Sequence, residues 1–174
     1  MAPQKKALKK DDELLNTRIE SNHVEYPEQL LLVVGGITAF LPAYVAHAFY
    51  ELAWTSVTNL PMFALVTAVT AYLLSQAYAV MFQSEFLKRQ RHYSETKTDS
   101  DAKTLRSLRL QLSLAYTMAL VNGVFVVATT FLQTYMFRKQ DFAYLVAPIL
   151  TAAVVWFIAQ KNEESRKRMT GRKF

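Results

Sequence analysis

The stretch that decides the fold opens with Ser100-Asp101-Ala102-Lys103-Thr104-Leu105-Arg106-Ser107-Leu108-Arg109. It then runs without a charged residue from Leu110 to Phe137, where Arg138-Lys139 close it. As one helix, the segment 100–137 would be roughly 57 Å long at 1.5 Å per residue, well beyond a hydrocarbon core of about 30 Å. One end must stand in water, and the charges place it at Ser100–Arg109. The stretch therefore predicts a transmembrane helix carrying a basic stalk.

The remainder of the chain repeats that segregation. Of the 174 residues 52% are hydrophobic, yet mean hydropathy is only +0.07 because the charges are bunched. Leu30 to Tyr50 carries no Asp, Glu, Lys or Arg over 21 residues, enough to span a bilayer. Leu60 to Phe82 and Phe142 to Gln160 have the same character. The fold class expected is an all-α membrane protein of four transmembrane helices, with a short basic helical hairpin between spans 2 and 3. The divisions follow: a polar N-terminal tail, 1–29; spans 1 and 2, 30–82; the basic hairpin, 83–109; spans 3 and 4, 110–160; and a basic C-terminal tail, 161–174. Ser100 or Asp101 is the natural N-cap of the helix leaving the hairpin. Gly35-Gly36 offers close approach to a neighbouring helix, and Pro42 and Pro148 predict kinks.

Lys and Arg set the orientation. Of the 20 such residues, 18 lie in the N-terminal tail, the central connection and the C-terminal tail, and two lie in the opposite connections. By the positive-inside rule both termini and the hairpin are expected in the cytosol. The acidic residues among Asp11, Asp12, Glu13, Glu20, Glu25 and Glu28 do not suit a transit peptide, and the polar opening does not suit a cleavable signal peptide.

Chemistry inside the membrane would need ionisable groups at depth, and the middle of each span has none. His47 and Glu51 lie one turn apart at the far end of span 1, where an interfacial hydrogen-bonded pair is the plain reading. Asn122-Gly123 and the stripe Thr67, Thr70, Ser75, Gln76 read as contacts between helices rather than a pathway. His23 and His92 lack metal-site spacing, and cysteine is absent. The sequence thus offers no catalytic residues, no metal ligands and no cofactor site, and an enzyme is not expected. What remains is surface charge. Lys88, Arg89, Arg91, Lys103, Arg106 and Arg109 flank the hairpin, and Arg166, Lys167, Arg168, Arg172 and Lys173 make a second basic set in the tail. These cations suit anionic lipid headgroups or a large polyanion such as RNA, bound in a salt-dependent way.

Several local features resemble the gamma-subunit family of the translocon-associated protein (TRAP) complex, the signal sequence receptor. They are the opening Met1-Ala2-Pro3, the acidic Asp11-Asp12-Glu13-Leu14-Leu15, Phe40-Leu41-Pro42 with its aromatic run into Glu51-Leu52, and Ala71-Tyr72-Leu73-Leu74-Ser75-Gln76-Ala77-Tyr78. The central connection is shorter and the C-terminal tail longer than is usual there. The resemblance implies a multi-pass protein of the endoplasmic reticulum membrane. Its partners would be the TRAP alpha, beta and delta subunits and the Sec protein-conducting channel. It would anchor that assembly to translating ribosomes, with ribosomal RNA and protein meeting the basic hairpin. A structural subunit of an organellar, for instance mitochondrial, membrane complex is the alternative expectation.

Overall fold

The computed structural model describes residues 28–53, 56–92, 99–137 and 143–171, and within these the side chains of 90–103, 136–143 and 166–171 are left aside. All four described elements are helices: α1 (Glu28–Tyr50), α2 (Asn59–His92), α3 (Asp99–Phe137) and α4 (Ala143–Gly171). Each contains a window long and apolar enough to cross a membrane. Their lengths differ in a telling way. α1 has 23 residues, about the hydrocarbon thickness, whereas α2 has 34, α3 has 39 and α4 has 29. At 1.5 Å per residue these three are roughly 51, 58 and 43 Å long, so each overruns the bilayer.

The contacts fix an up-and-down arrangement. One end gathers the C-terminus of α1 and the N-termini of α2 and α4, where Ala43, Ala46, Phe63, Val66 and Tyr144 pack together. There the Phe63 and Tyr144 rings lie 4.7 Å apart at 46°. The C-terminus of α3 joins the same end, because Tyr50 donates a hydrogen bond to Thr134. The opposite end brings Phe82 and Phe86 of α2 against Leu110 and Leu114 of α3. Between them Leu31, Leu74, Ala77, Tyr78, Val121, Phe125, Ala152 and Val155 form a core to which every helix contributes. α2 is the central helix, with extensive contacts to the other three.

The burial pattern is that of a protein whose solvent is lipid. Val33, Ile37, Leu65, Val127, Phe131 and Phe157 face outward, all more than half exposed. The inward faces hold small and weakly polar residues instead. On α1 the ridge is Leu31, Gly35, Ala39, Ala43; on α3 it is Ser113, Thr117, Val121, Phe125, Thr129, Gln133. Both follow i, i+4 spacing, the ridge that packs into a neighbour's groove. Lipid tails are as apolar as leucine, so small residues that let backbones approach, together with interhelical hydrogen bonds, do the joining. Gly35 shows the limit of that approach: a Cβ there would stand 2.8 Å from the Ala71 carbonyl oxygen, whereas one at Gly36 would meet nothing within 4 Å. Of the glycine pair, one makes the contact.

Among the described residues, interhelical hydrogen bonds join α1, α2 and α3. Asn122 Oδ1 accepts from Tyr78 of α2 and from Thr38 Oγ1 of α1 at 3.3 Å. Gln133 of α3 donates to the Pro42 carbonyl of α1 at 3.1 Å. α1 then stops in a left-handed residue, Glu51 with φ of 55°. Leu52 N–H returns to the Ala46 carbonyl, and His47 Nδ1 donates to the Leu52 carbonyl at 3.0 Å. The helix thus ends in a left-handed residue, in a position glycine usually fills.

Two boundaries differ from the sequence reading. α3 begins at Asp99, ahead of the Ser100 or Asp101 expected as its cap. α4 does not end with its apolar run at Gln160 but continues to Gly171, so most of the expected tail is helix. Glu, Lys, Arg and Met are good helix formers in water, and the span's end is therefore not the helix's end. The expected hairpin, 83–109, comprises the last turns of α2 and the first of α3, and its tip at 93–98 lies outside the described residues. The N-terminal tail up to residue 27 and the basic residues Arg172 and Lys173 also lie outside them.

Candidate basic interface at one end of the bundle

Because the helices alternate, the C-terminus of α2, the N-terminus of α3 and the C-terminus of α4 emerge at one end. All six hairpin cations and Arg166, Lys167 and Arg168 are therefore carried there on helical backbone. Tyr116 and Tyr135 lie toward the two ends of the charge-free run of α3. Both are exposed on the outside of the bundle, at 44% and 63%. They are 19 positions apart in the chain, roughly 28 Å of helix, the thickness of the hydrocarbon layer. Outward tyrosines at that separation suit the two membrane–water interfaces. Some four turns of α3 then extend beyond Tyr116 toward its N-terminus.

The cations at this end divide into two groups. At the boundary they lie against the protein. Lys88 Nζ is 2.6 Å from Glu85 Oε1, a carboxylate whose side chain is only 11% exposed. The Arg89 guanidinium lies over the Tyr116 ring, 5.6 Å from its centre. Lys161 of α4 repeats the theme, 5.6 Å over the Phe157 ring and 3.2 Å from Glu164 Oε2. Farther out, Arg106 is exposed and Arg109 half-buried on α3. Arg91 and Lys103 occupy helical positions in the outer turns, with their side chains outside the described residues.

Helix geometry explains the division. Side chains on an α-helix lean toward its N-terminus. At the C-terminal end of α2 this direction runs back to the bilayer, so Arg89 reaches inward. On α3 the same rule sends Arg106, Arg109 and Tyr116 outward. Arg89 and Tyr116 therefore meet head-on. Glu85–Lys88 was legible as an i, i+3 pair; the Arg89–Tyr116 meeting, between different helices, had no local signal.

Chemically the outer turns carry cations along helical backbone beyond the apolar runs, suited to phosphate-rich surfaces, while Lys88, Arg89 and Lys161 are engaged against the protein nearer those runs. Among the described residues, no group of three His, Asp or Glu is placed to hold a metal ion. Comparison of the chain with protein-family models, with curated proteins and with solved structures gives no match.

Proposed function

We propose that this protein is a non-enzymatic accessory subunit of the endoplasmic reticulum translocation machinery, similar to the gamma subunit of the translocon-associated complex. In this reading it sits beside the Sec channel with alpha, beta and delta partner subunits. It tethers them to translating ribosomes through the cations of the outer helical turns. The observation that carries the reading is the overrun of α2, α3 and α4 at one end, all bearing cations. A lipid-only role needs positive charge at the interface, not helices continued several turns past it. The local resemblance near Asp11-Asp12-Glu13 and Ala71–Tyr78 supplies the particular polyanion.

The test is co-sedimentation of the detergent-solubilised protein with ribosomes across a salt series. Phosphate contacts release counterions, so binding should fall steeply as salt rises. Reversal of Arg91, Lys103 and Arg106 to Glu is expected to abolish binding at moderate salt. Association that survives these reversals at low salt would count against the reading. A tagged protein found in mitochondria instead would favour the organellar-subunit alternative.

A further inference from the structure

We propose that Arg89, seated on Tyr116, forms a binding site for the phosphate of an anionic phospholipid headgroup. The inference is independent of the ribosome reading, which rests on the outer turns. Arg89 lies on the last turns of α2, beside Tyr116 of α3. Its guanidinium lies 5.6 Å over the Tyr116 ring, and Tyr116 is 44% exposed on the lipid-facing side. The guanidinium thus makes a cation–π contact with the ring, which leaves its N–H groups to bind a ligand. Arg89 Nε is buried among protein atoms, so a ligand from outside is met by the terminal nitrogens of the guanidinium.

A partly buried guanidinium binds an outside anion more strongly than one fully in water, because the local dielectric is lower. The nearest protein carboxylate on its helix, Glu85, is engaged by Lys88 at 2.6 Å. At this depth, level with the outward tyrosine that marks the edge of the hydrocarbon, the available acceptors are lipid phosphates. A phosphate takes two parallel N–H bonds from arginine in a fork-to-fork geometry that lysine does not offer. The headgroup of phosphatidic acid presents the most phosphate oxygen and charge, whereas phosphatidylcholine offsets its phosphate with a choline cation. The site should therefore favour phosphatidic acid. An RNA backbone is a poor occupant, because Arg89 leans toward the bilayer and away from the outer turns.

The experiment is native mass spectrometry of the full-length protein released from vesicle-derived nanodiscs, containing equal phosphatidic acid and phosphatidylcholine. Wild type is expected to retain phosphatidic acid preferentially. Arg89→Ala and Tyr116→Leu should lower that preference by about tenfold, the scale of a lost charge-assisted bond. Arg106→Ala, a cation of the exposed outer turn, should leave it unchanged. Arg89→Lys keeps the charge while removing the fork, and serves if the alanine variant folds poorly; it should lose most of the preference. Equal retention in wild type and the Arg89 variants would overturn the proposal, as would an equal loss in Arg106→Ala, the sign of a diffuse field. Displacement of the lipid by inorganic phosphate, bound with the same dependence on Arg89, would overturn the lipid as occupant. Ribosome co-sedimentation of Arg89→Ala is expected to match wild type, so the two proposals fail separately.

Discussion

Alanine substitution at the two adjacent glycines of α1 tests how the bundle is joined. At Gly35 the new Cβ would stand 2.8 Å from the Ala71 carbonyl oxygen, about 0.6 Å inside the 3.4 Å at which ordinary contact begins. Both atoms belong to or adjoin rigid helical backbone, so relief requires α1 and α2 to separate or slide. Overpacking of this kind costs about 1–3 kcal/mol. At Gly36 the Cβ meets nothing within 4 Å, so only the helix-propensity gain remains, up to about 1 kcal/mol. That gain is common to both sites, and the difference between the variants isolates the clash. We expect Gly35→Ala to be less stable than Gly36→Ala by about 1–3 kcal/mol. The measurement is reversible unfolding in mixed micelles titrated with denaturing detergent, followed by tryptophan emission. Trp156 packs against the central cluster and reports on it. Coincident unfolding curves for the two variants would refute the close-packed α1–α2 seam.

Two further substitutions probe other parts of the same argument. Tyr78→Phe and Thr38→Val each remove one donor to Asn122 and should cost about 0.6 kcal/mol apiece, at most about 1.7, as interhelical bonds do in membranes. A double-mutant cycle with Asn122→Ala, read by the same titration, should show both donors coupled to that side chain; strict additivity would deny the link. Glu51→Gly should stabilise the fold by about 1 kcal/mol, because it relieves a left-handed backbone with φ of 55°. An unfolding midpoint that drops instead would mean the Glu51 side chain holds a contact worth more than the strain.

The four spans were legible because charge-free runs of this length have few other homes, and the structure follows them. The end of α4 was not, because the sequence reading treated the arrival of charges at Lys161 as the end of the element. Charges end a span, while the backbone of Lys161-Asn162-Glu163-Glu164-Ser165 still favours a helix. Among the site residues, Glu85 and Lys88 were within reach of local spacing. Asn122 was read as a helix contact, but its partners Tyr78 and Thr38 lie 44 and 84 residues away in the chain. No local pattern could name them. The choice between Gly35 and Gly36 was equally hidden, since it depends on how α1 is rotated against α2.

Arg89 shows how position along a helix and direction across it carry different information. By sequence it belongs with Arg91, Lys103, Arg106 and Arg109 as one basic cluster. By geometry it stands apart, because α2 ends where α3 begins and their side chains lean in opposite senses relative to the bilayer. Lys88 and Arg89 are engaged at the boundary, on Glu85 and Tyr116. A polyanion approaching from water therefore meets the outer turns before it meets them. Each phosphate contact contributes roughly 0.9 to the slope of log affinity against log salt on duplex nucleic acid. In the ribosome titration the slope should accordingly count the outer cations alone. Reversal of Arg106 should flatten it, and removal of Arg89 should leave it in place. A slope that falls equally for both would merge the two groups again, and with them the interface and the stalk.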